Sequence, residues 1–170
     1  MKPRVLDKEF FGRPATELAP LLIGKLLCGN VENNIEKRRI TETECYFGEE
    51  DTACHARRGR TERTKVMYEA GGVSYIYLCY GIHYLLNIVT GEKGHPEAVL
   101  IRGVESAPGP GLVTKALFID KSLNGKELCP SNGLWIEDDG FKADFTAGKR
   151  VGISYASQQD QDRLWRFMCK

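Results

Sequence analysis

The sequence predicts an α+β protein with a mostly antiparallel sheet and a few short helices, folded as a single domain over residues 1–170. Three observations carry this. The length of 170 residues lies within the range of one domain. Runs rich in β-branched and aromatic residues recur, with glycine and asparagine turns beside them. No internal repeat, low-complexity run or linker interrupts them.

Apolar spacing at Leu18, Leu21 and Leu22 predicts a short helix over 17–24, ended by Gly24. Residues 25–28 read as a strand, 30–34 supply hairpin-turn residues, and 37–46 alternate as a second strand. A turn at 48–51 leads to a polar, basic loop over 55–64 and a short helix at 64–70. Residues 73–80 and 83–90 form a strand pair around Gly81. After a turn at 91–96, residues 98–102 are a short buried strand. Ala107-Pro108-Gly109-Pro110-Gly111 breaks the pattern and opens a helix over 112–119. Residues 134–137 and 150–153 read as strands, and 162–167 as strand or extended packing.

Hydrophobic residues are 42% and charged residues 28%, ordinary for a soluble globular protein that buries its core without disulfides. The formal charge is +1, so a nucleic-acid reading must rest on a local patch. No apolar run approaches the roughly 18 residues of a membrane span, and residues 1–8 lack the apolar stretch of a signal peptide. The expected location is the cytoplasm, or a nucleus. The six cysteines include no C-x-x-C pair, and Cys54 and His55 stand adjacent without a second such group. Buried, reduced thiols are the expectation, with no metal site.

Three stretches could carry chemistry. Glu42 and Glu44 lie two apart on a predicted strand and therefore share a face. Alone they read first as a solvated strand face, and second as a carboxylate held in a cleft as a general base. Residues 55–65 carry five Lys/Arg and one Glu. Such a loop is either solvated or a set of phosphate contacts by Arg57, Arg58 and Arg60. Residues 75–84 contain Tyr75, Tyr77, Tyr80 and Tyr84. They form a core strand with wet-tipped rings, or a stacking surface for an unstacked base. Asn87 follows in an apolar strand, where its amide needs partners.

Together these stretches resemble the alkyladenine (3-methyladenine or methylpurine) DNA glycosylase family. The resemblance runs from 6–11 to 163–167. It is most specific at Thr41-Glu42-Thr43-Glu44-Cys45-Tyr46, Asp51-Thr52-Ala53-Cys54-His55, Tyr75-Ile76-Tyr77-Leu78-Cys79-Tyr80-Gly81, Asn87 and Val99-Leu100-Ile101-Arg102. It implies a curved antiparallel sheet that binds duplex DNA from the minor groove, flips alkylated or deaminated purines and hydrolyses their sugar bond. No cofactor, no strand cleavage and a monomer are implied. Glu44 falls on the general base, Arg102 on the residue holding the water, and Val151 on a backbone carbonyl to that water. Tyr46 and Tyr77 fall on the pocket walls, with His55 beside them as a hydrogen-bonding reader. Asn87 falls on the filter against guanine and Tyr80 on the wedge, with Met67 near the intercalating tip. The family carries a longer segment where this chain has only 103–108. The alternatives are a noncatalytic nucleic-acid-binding module using the same aromatics, and a scaffold acting on a small molecule, as in formyltransferases.

Overall fold

The computed structural model describes residues 2–170. Its strands are β1 (Arg4–Val5), β2 (Leu26–Val31), β3 (Asn34–Phe47), β4 (Ser74–Cys79), β5 (His83–Val89), β6 (Glu97–Val104), β7 (Ala107–Pro108), β8 (Leu134–Asp138), β9 (Phe145–Gly148) and β10 (Arg166–Cys169). They join in the order β1-β8-β2-β3-β6-β5-β4, with β10 on β3, β9 on β10 and β7 on β6. The ladders are antiparallel. The helices are α1 (Lys8–Phe11), α2 (Ala15–Leu21), α3 (Pro110–Ala116) and α4 (Gln158–Asp162). The α+β class read from the sequence is the one observed.

Strand β3 organises the sheet. Its first half pairs with β2 and its second half with β6 on one edge and β10 on the other. Thr43 turns toward α2, where its hydroxyl donates to the Ala19 carbonyl at 2.7 Å. By strand alternation Glu42 and Glu44 then face away from α2. The apolar core lies on the helix side of the sheet, with Leu18, Leu22, Ile40, Leu86, Ile101 and Val113 all buried. Each such side chain stabilises the fold by roughly 1.5–3 kcal/mol.

The β3–β6 ladder is not regular. Glu44 pairs with Leu100 and Thr43 with Ile101, but Glu42 pairs with Gly103. Arg102 is the extra residue of this bulge, a device that re-aims side chains. Gly103 permits the close approach, because a Cβ there would lie 2.9 Å from Thr41 Oγ1.

Residues 150–153 are a bend and not the expected strand. The reason is Arg150, which turns inward instead of alternating outward. Its guanidinium is fully buried and meets Asp51 through two bonds of 2.7 and 3.0 Å. It also donates to the carbonyls of Cys45 (2.9 Å) and Asp160 (3.2 Å). This ties the 150–157 segment across the end of β3. Elements β1, α1, β9 and α4 escaped the sequence reading because they have two to five residues, too few for a period to register. The helix expected at 64–70 is a 3₁₀ turn, Lys65–Tyr68. Helix α3 begins two residues before the expected 112–119, with Pro110 in its first turn.

Replacing Asp51 by alanine leaves the Arg150 charge buried and unpaired. The expected loss of stability is about 3–5 kcal/mol, read from the urea midpoint against the parent chain. An unchanged midpoint would remove this ion pair as the anchor of the bend.

Candidate active site

The ladders align one row of residues across five strands. Tyr75 pairs with Asn87, Asn87 with Leu100, Leu100 with Glu44, and Glu44 with Arg166. Directly paired residues point to the same face of a sheet. Tyr75, Asn87 and Leu100 of this row line a cavity of about 710 Å³, together with Tyr46, His55, Tyr77, Arg102 and Val151. Gly109, Pro110, Gly111 and Leu112 close it from the start of α3.

Glu44 stands immediately behind that lining, with 0% of its side chain exposed. Its Oε2 accepts the Val151 N–H at 2.8 Å. Its Oε1 accepts the Tyr46 hydroxyl at 3.2 Å and lies 3.5 Å from Arg102 Nη1. Gly152, at φ 74°, lets the chain turn just after Val151. Burial raises the Glu44 pKa above the ordinary value, opposed by Arg102, the Val151 N–H, the Tyr46 hydroxyl and Arg150. A carboxylate so placed takes up a proton more readily than an exposed one. The second carboxylate of the pair, Glu42, holds Arg102 Nε at 3.1 Å and Arg166 Nε at 2.5 Å.

The His55 and Tyr77 rings meet edge to face at 4.4 Å between centroids. His55 Nδ1 lies 3.1 Å from the hydroxyl of Tyr75, itself buried. Asn87 is buried and donates its amide to the Tyr75 carbonyl at 3.3 Å. Arg63 stacks over Tyr77 at 5.2 Å and also lines the cavity.

Tyr80 is 95% exposed at the tip of the β4–β5 hairpin. It and Gly81 have φ values of 51° and 67°, and the Ile82 N–H closes the turn on the Cys79 carbonyl at 3.1 Å. This is a type I′ hairpin turn, in which a tyrosine occupies a left-handed position usually left to Gly, Asn or Asp. Ile82 is exposed beside it. Met67 is not at the tip. It sits in the Lys65–Tyr68 turn, 2% exposed, packed in a cluster with Cys54, Ala56 and Tyr75. An apolar side chain next to a polar loop has been drawn under the cavity rather than out to solvent.

The basic loop presents Arg57, Arg58 and Arg60 to solvent. Its one carboxylate, Glu62, is engaged by Lys65 at 2.8 Å. Arg57 stacks on Tyr155 at 4.7 Å and Arg60 on Tyr68 at 5.9 Å. Stacking orders a guanidinium without neutralising it. Tyr155, Arg63, Arg150 and Arg166 join the site although the sequence reading gave them no role there. Tyr75 had a visible signal, the two-residue spacing from Tyr77. Arg150 and Arg166 had none, since each reaches the site through a long-range ladder or bend.

The cavity sets a buried carboxylate behind aromatic walls and beside an exposed arginine loop. The family model described as methylpurine-DNA glycosylase matches residues 9–107 and 105–170. The chain is 42% identical over 179 residues to a protein of Borreliella burgdorferi, covering 97% of this chain and 96% of that one. It is 41% identical over 182 residues to a protein of Psychrobacter cryohalolentis, with 89% and 86% covered. It is 39% identical over 186 residues to one of Methanocella arvoryzae, with 98% and 92% covered. All three carry the provisional name 3-methyladenine DNA glycosylase. The chain belongs to the methylpurine-DNA glycosylase family. The two matched segments meet at the β6–β7 hairpin, where Gly103 pairs with Pro108 and Val104 with Ala107. The shortened stretch is thus closed as a tight hairpin.

Burial, and then the charges of Arg63 and Arg57, lower the His55 pKa from 6.5 to about 4. The ring is neutral at pH 7. Because the folded pKa lies below the unfolded one, this residue subtracts nothing above pH 6.5 and costs stability progressively as pH falls from there toward 4. Nitrogen-15 NMR of the imidazole should find a midpoint near 4. A midpoint at or above 6.5 would mean the ring is solvated.

Proposed function

We propose that this chain excises alkylated and deaminated purines from duplex DNA by flipping the base into the cavity and hydrolysing its N-glycosidic bond. The observation that carries the reading is the Glu44 carboxylate, buried behind a cavity and held by three groups that themselves line it. A water seated among Tyr46, Arg102 and Val151 would lie against Glu44. Glu44 takes one proton from that water as its oxygen adds to C1′ of the sugar. The C1′–N bond breaks and its electron pair leaves with the base. A base alkylated at N3 or N7 is cationic and departs neutral, whereas a neutral base needs an added proton.

The Val151 N–H is already taken by Glu44, so the role proposed for Val151 at the water falls to its carbonyl. Tyr46, Tyr77 and neutral His55 bound the flipped base, and Asn87 excludes guanine by crowding its 2-amino group. Tyr80 fills the vacated stack, where its exposure and hairpin-tip position suit a wedge. Arg57, Arg58 and Arg60 hold phosphates. No lysine lines the cavity among the described residues, which favours hydrolysis without a Schiff base and hence without strand cleavage.

Glu44→Gln should keep binding to a duplex carrying one hypoxanthine or methylated adenine, yet lose release of free base by orders of magnitude in single-turnover assays. Undiminished release removes Glu44 as the base. Binding without release by the parent chain would instead favour a noncatalytic binding module.

Tyr80→Ser should weaken flipping, read by a fluorescent lesion, more than it weakens nonspecific binding. Equal flipping removes the wedge. Affinity for duplex DNA should fall as salt is added, through the arginine loop.

A further inference from the structure

Glu44 is one end of a chain of alternating charges. Arg166 Nε lies 2.5 Å from Glu42 Oε1, and the same oxygen is 3.1 Å from Arg102 Nε. Arg102 Nη1 in turn is 3.5 Å from Glu44 Oε1. Side-chain exposure along this series falls from 28% at Arg166 through 18% and 17% to 0% at Glu44. The Arg102–Glu42 contact is the shorter of the two that Arg102 makes, so Glu42 competes with Glu44 for its charge. Arg166 offsets part of that competition by engaging the same Glu42 oxygen.

We propose that Glu42 and Arg166 are positioning residues that set how much of the Arg102 charge reaches the Glu44 carboxylate. The inference rests on the reading of Glu44 as the general base. Its geometry is local. The bulge in β6 makes Arg102 the extra residue between the two carboxylates, and the β3–β10 ladder puts Arg166 directly opposite Glu44. The other groups facing Glu44 are Tyr46 on β3, and Arg150 and the Val151 N–H on the bend. None of the three contacts Glu42 among the described hydrogen bonds, so altering Glu42 or Arg166 removes no bond that they make to Glu44.

Glu42 and Arg166 act with opposite sign. Removing the Glu42 charge frees Arg102 for Glu44 and removes a like charge from the same strand face. The Glu44 anion is then favoured, and the acidic limb of the rate profile moves to lower pH. Removing Arg166 takes away a cation and leaves Glu42 to bind Arg102 alone. The Glu44 anion is disfavoured and the limb moves to higher pH. Each shift should be about one pH unit, the low end of what a neighbouring charge does to a carboxylate. At a pH on the limb that is about a tenfold change in rate, in opposite directions.

The test is the pH dependence of single-turnover release of 3-methyladenine from dimethyl-sulfate-treated duplex DNA. It compares the parent chain with Glu42→Gln, Arg166→Gln and Arg166→Lys. A base that is already cationic in the DNA departs neutral without an added proton, so the acidic limb reports the general base alone. Expected are a downward shift for Glu42→Gln, an upward shift for Arg166→Gln and recovery in Arg166→Lys. Shifts of the same sign, or none, overturn the proposal, because mere structural damage lowers the plateau without moving the limb in two directions. Carbon-13 carboxyl NMR of the free proteins gives a second measurement. The Glu44 signal is identified by its loss in Glu44→Gln, and its midpoint must move in the same two directions. If Glu44→Gln excises normally while the NMR midpoints move as expected, the reading of Glu44 as base fails and the charge relay stands. If Glu44→Gln is inactive and the midpoints stay fixed, the relay alone fails.

Discussion

Tyr75, Asn87, Leu100, Glu44 and Arg166 occupy one row across five antiparallel strands, and the site depends on that register being kept. A slip of one residue in any ladder would send the slipped strand's side chains to the other face. The opposite face is protected against such a slip by its packing. Thr43 is anchored on the Ala19 carbonyl, and Ile40 and Ile101 are locked in the core between sheet and helices. The energy that holds the register comes from the apolar side, while the cavity lies on the other. This division lets the cavity wall carry carboxylates, an amide and arginines that contribute little to folding by themselves.

Burying a carboxylate is costly unless it is paired and hydrogen-bonded. Glu44 has two neutral donors and one guanidinium at 3.5 Å, a looser contact than the Asp51–Arg150 pair, which has two bonds of 2.7 and 3.0 Å. The contrast separates two uses of buried charge in the same molecule. Asp51 is saturated and holds the bend in place. Glu44 is held only partly, so its affinity for a proton stays high. Tighter pairing with Arg102 would make it a weaker base. The Asp51–Arg150 clamp serves this arrangement indirectly, because it positions the peptide whose N–H reaches Glu44.

The antiparallel sheet, most strand boundaries and the pocket aromatics were legible in the sequence because each lies in a segment long enough to alternate. Residues 37–46 and 75–84 are of that kind. The two hairpin pairings, β2–β3 and β4–β5, were legible from their turns, but pairing between strands distant in the chain was not, and with it went the partners of Glu44. Nothing near Arg166 in the chain hints that it lies opposite Glu44, 122 positions away by number (166 minus 44). The bend at 150–153 was misread for a related reason. Arg150-Val151-Gly152-Ile153 has strand-like residues, but a buried ion pair to a residue 99 positions away overrides local preference. Met67 was misplaced because a motif fixes order along the chain, not depth within it. The exposed apolar residue beside Tyr80 is Ile82, two residues on along the hairpin.

The Tyr80 tip and the arginine loop share a physical logic. An aromatic residue at positive φ and an exposed guanidinium each carry a cost in the free protein, in strain or in side-chain entropy. Both costs are met locally. The type I′ turn of Tyr80-Gly81 matches the twist of β4 and β5, so the strained residue sits where the hairpin already demands that conformation. Arg57, Arg60 and Arg63 lie on the faces of Tyr155, Tyr68 and Tyr77, which limits their rotamers before any partner arrives. Groups ordered in advance lose less freedom on binding. Tyr77 and Tyr155, which line the cavity, therefore also hold two of these cations, Arg63 and Arg57. The cavity and the charged surface are one construction, with Tyr77 contacting His55 on one side and Arg63 on the other.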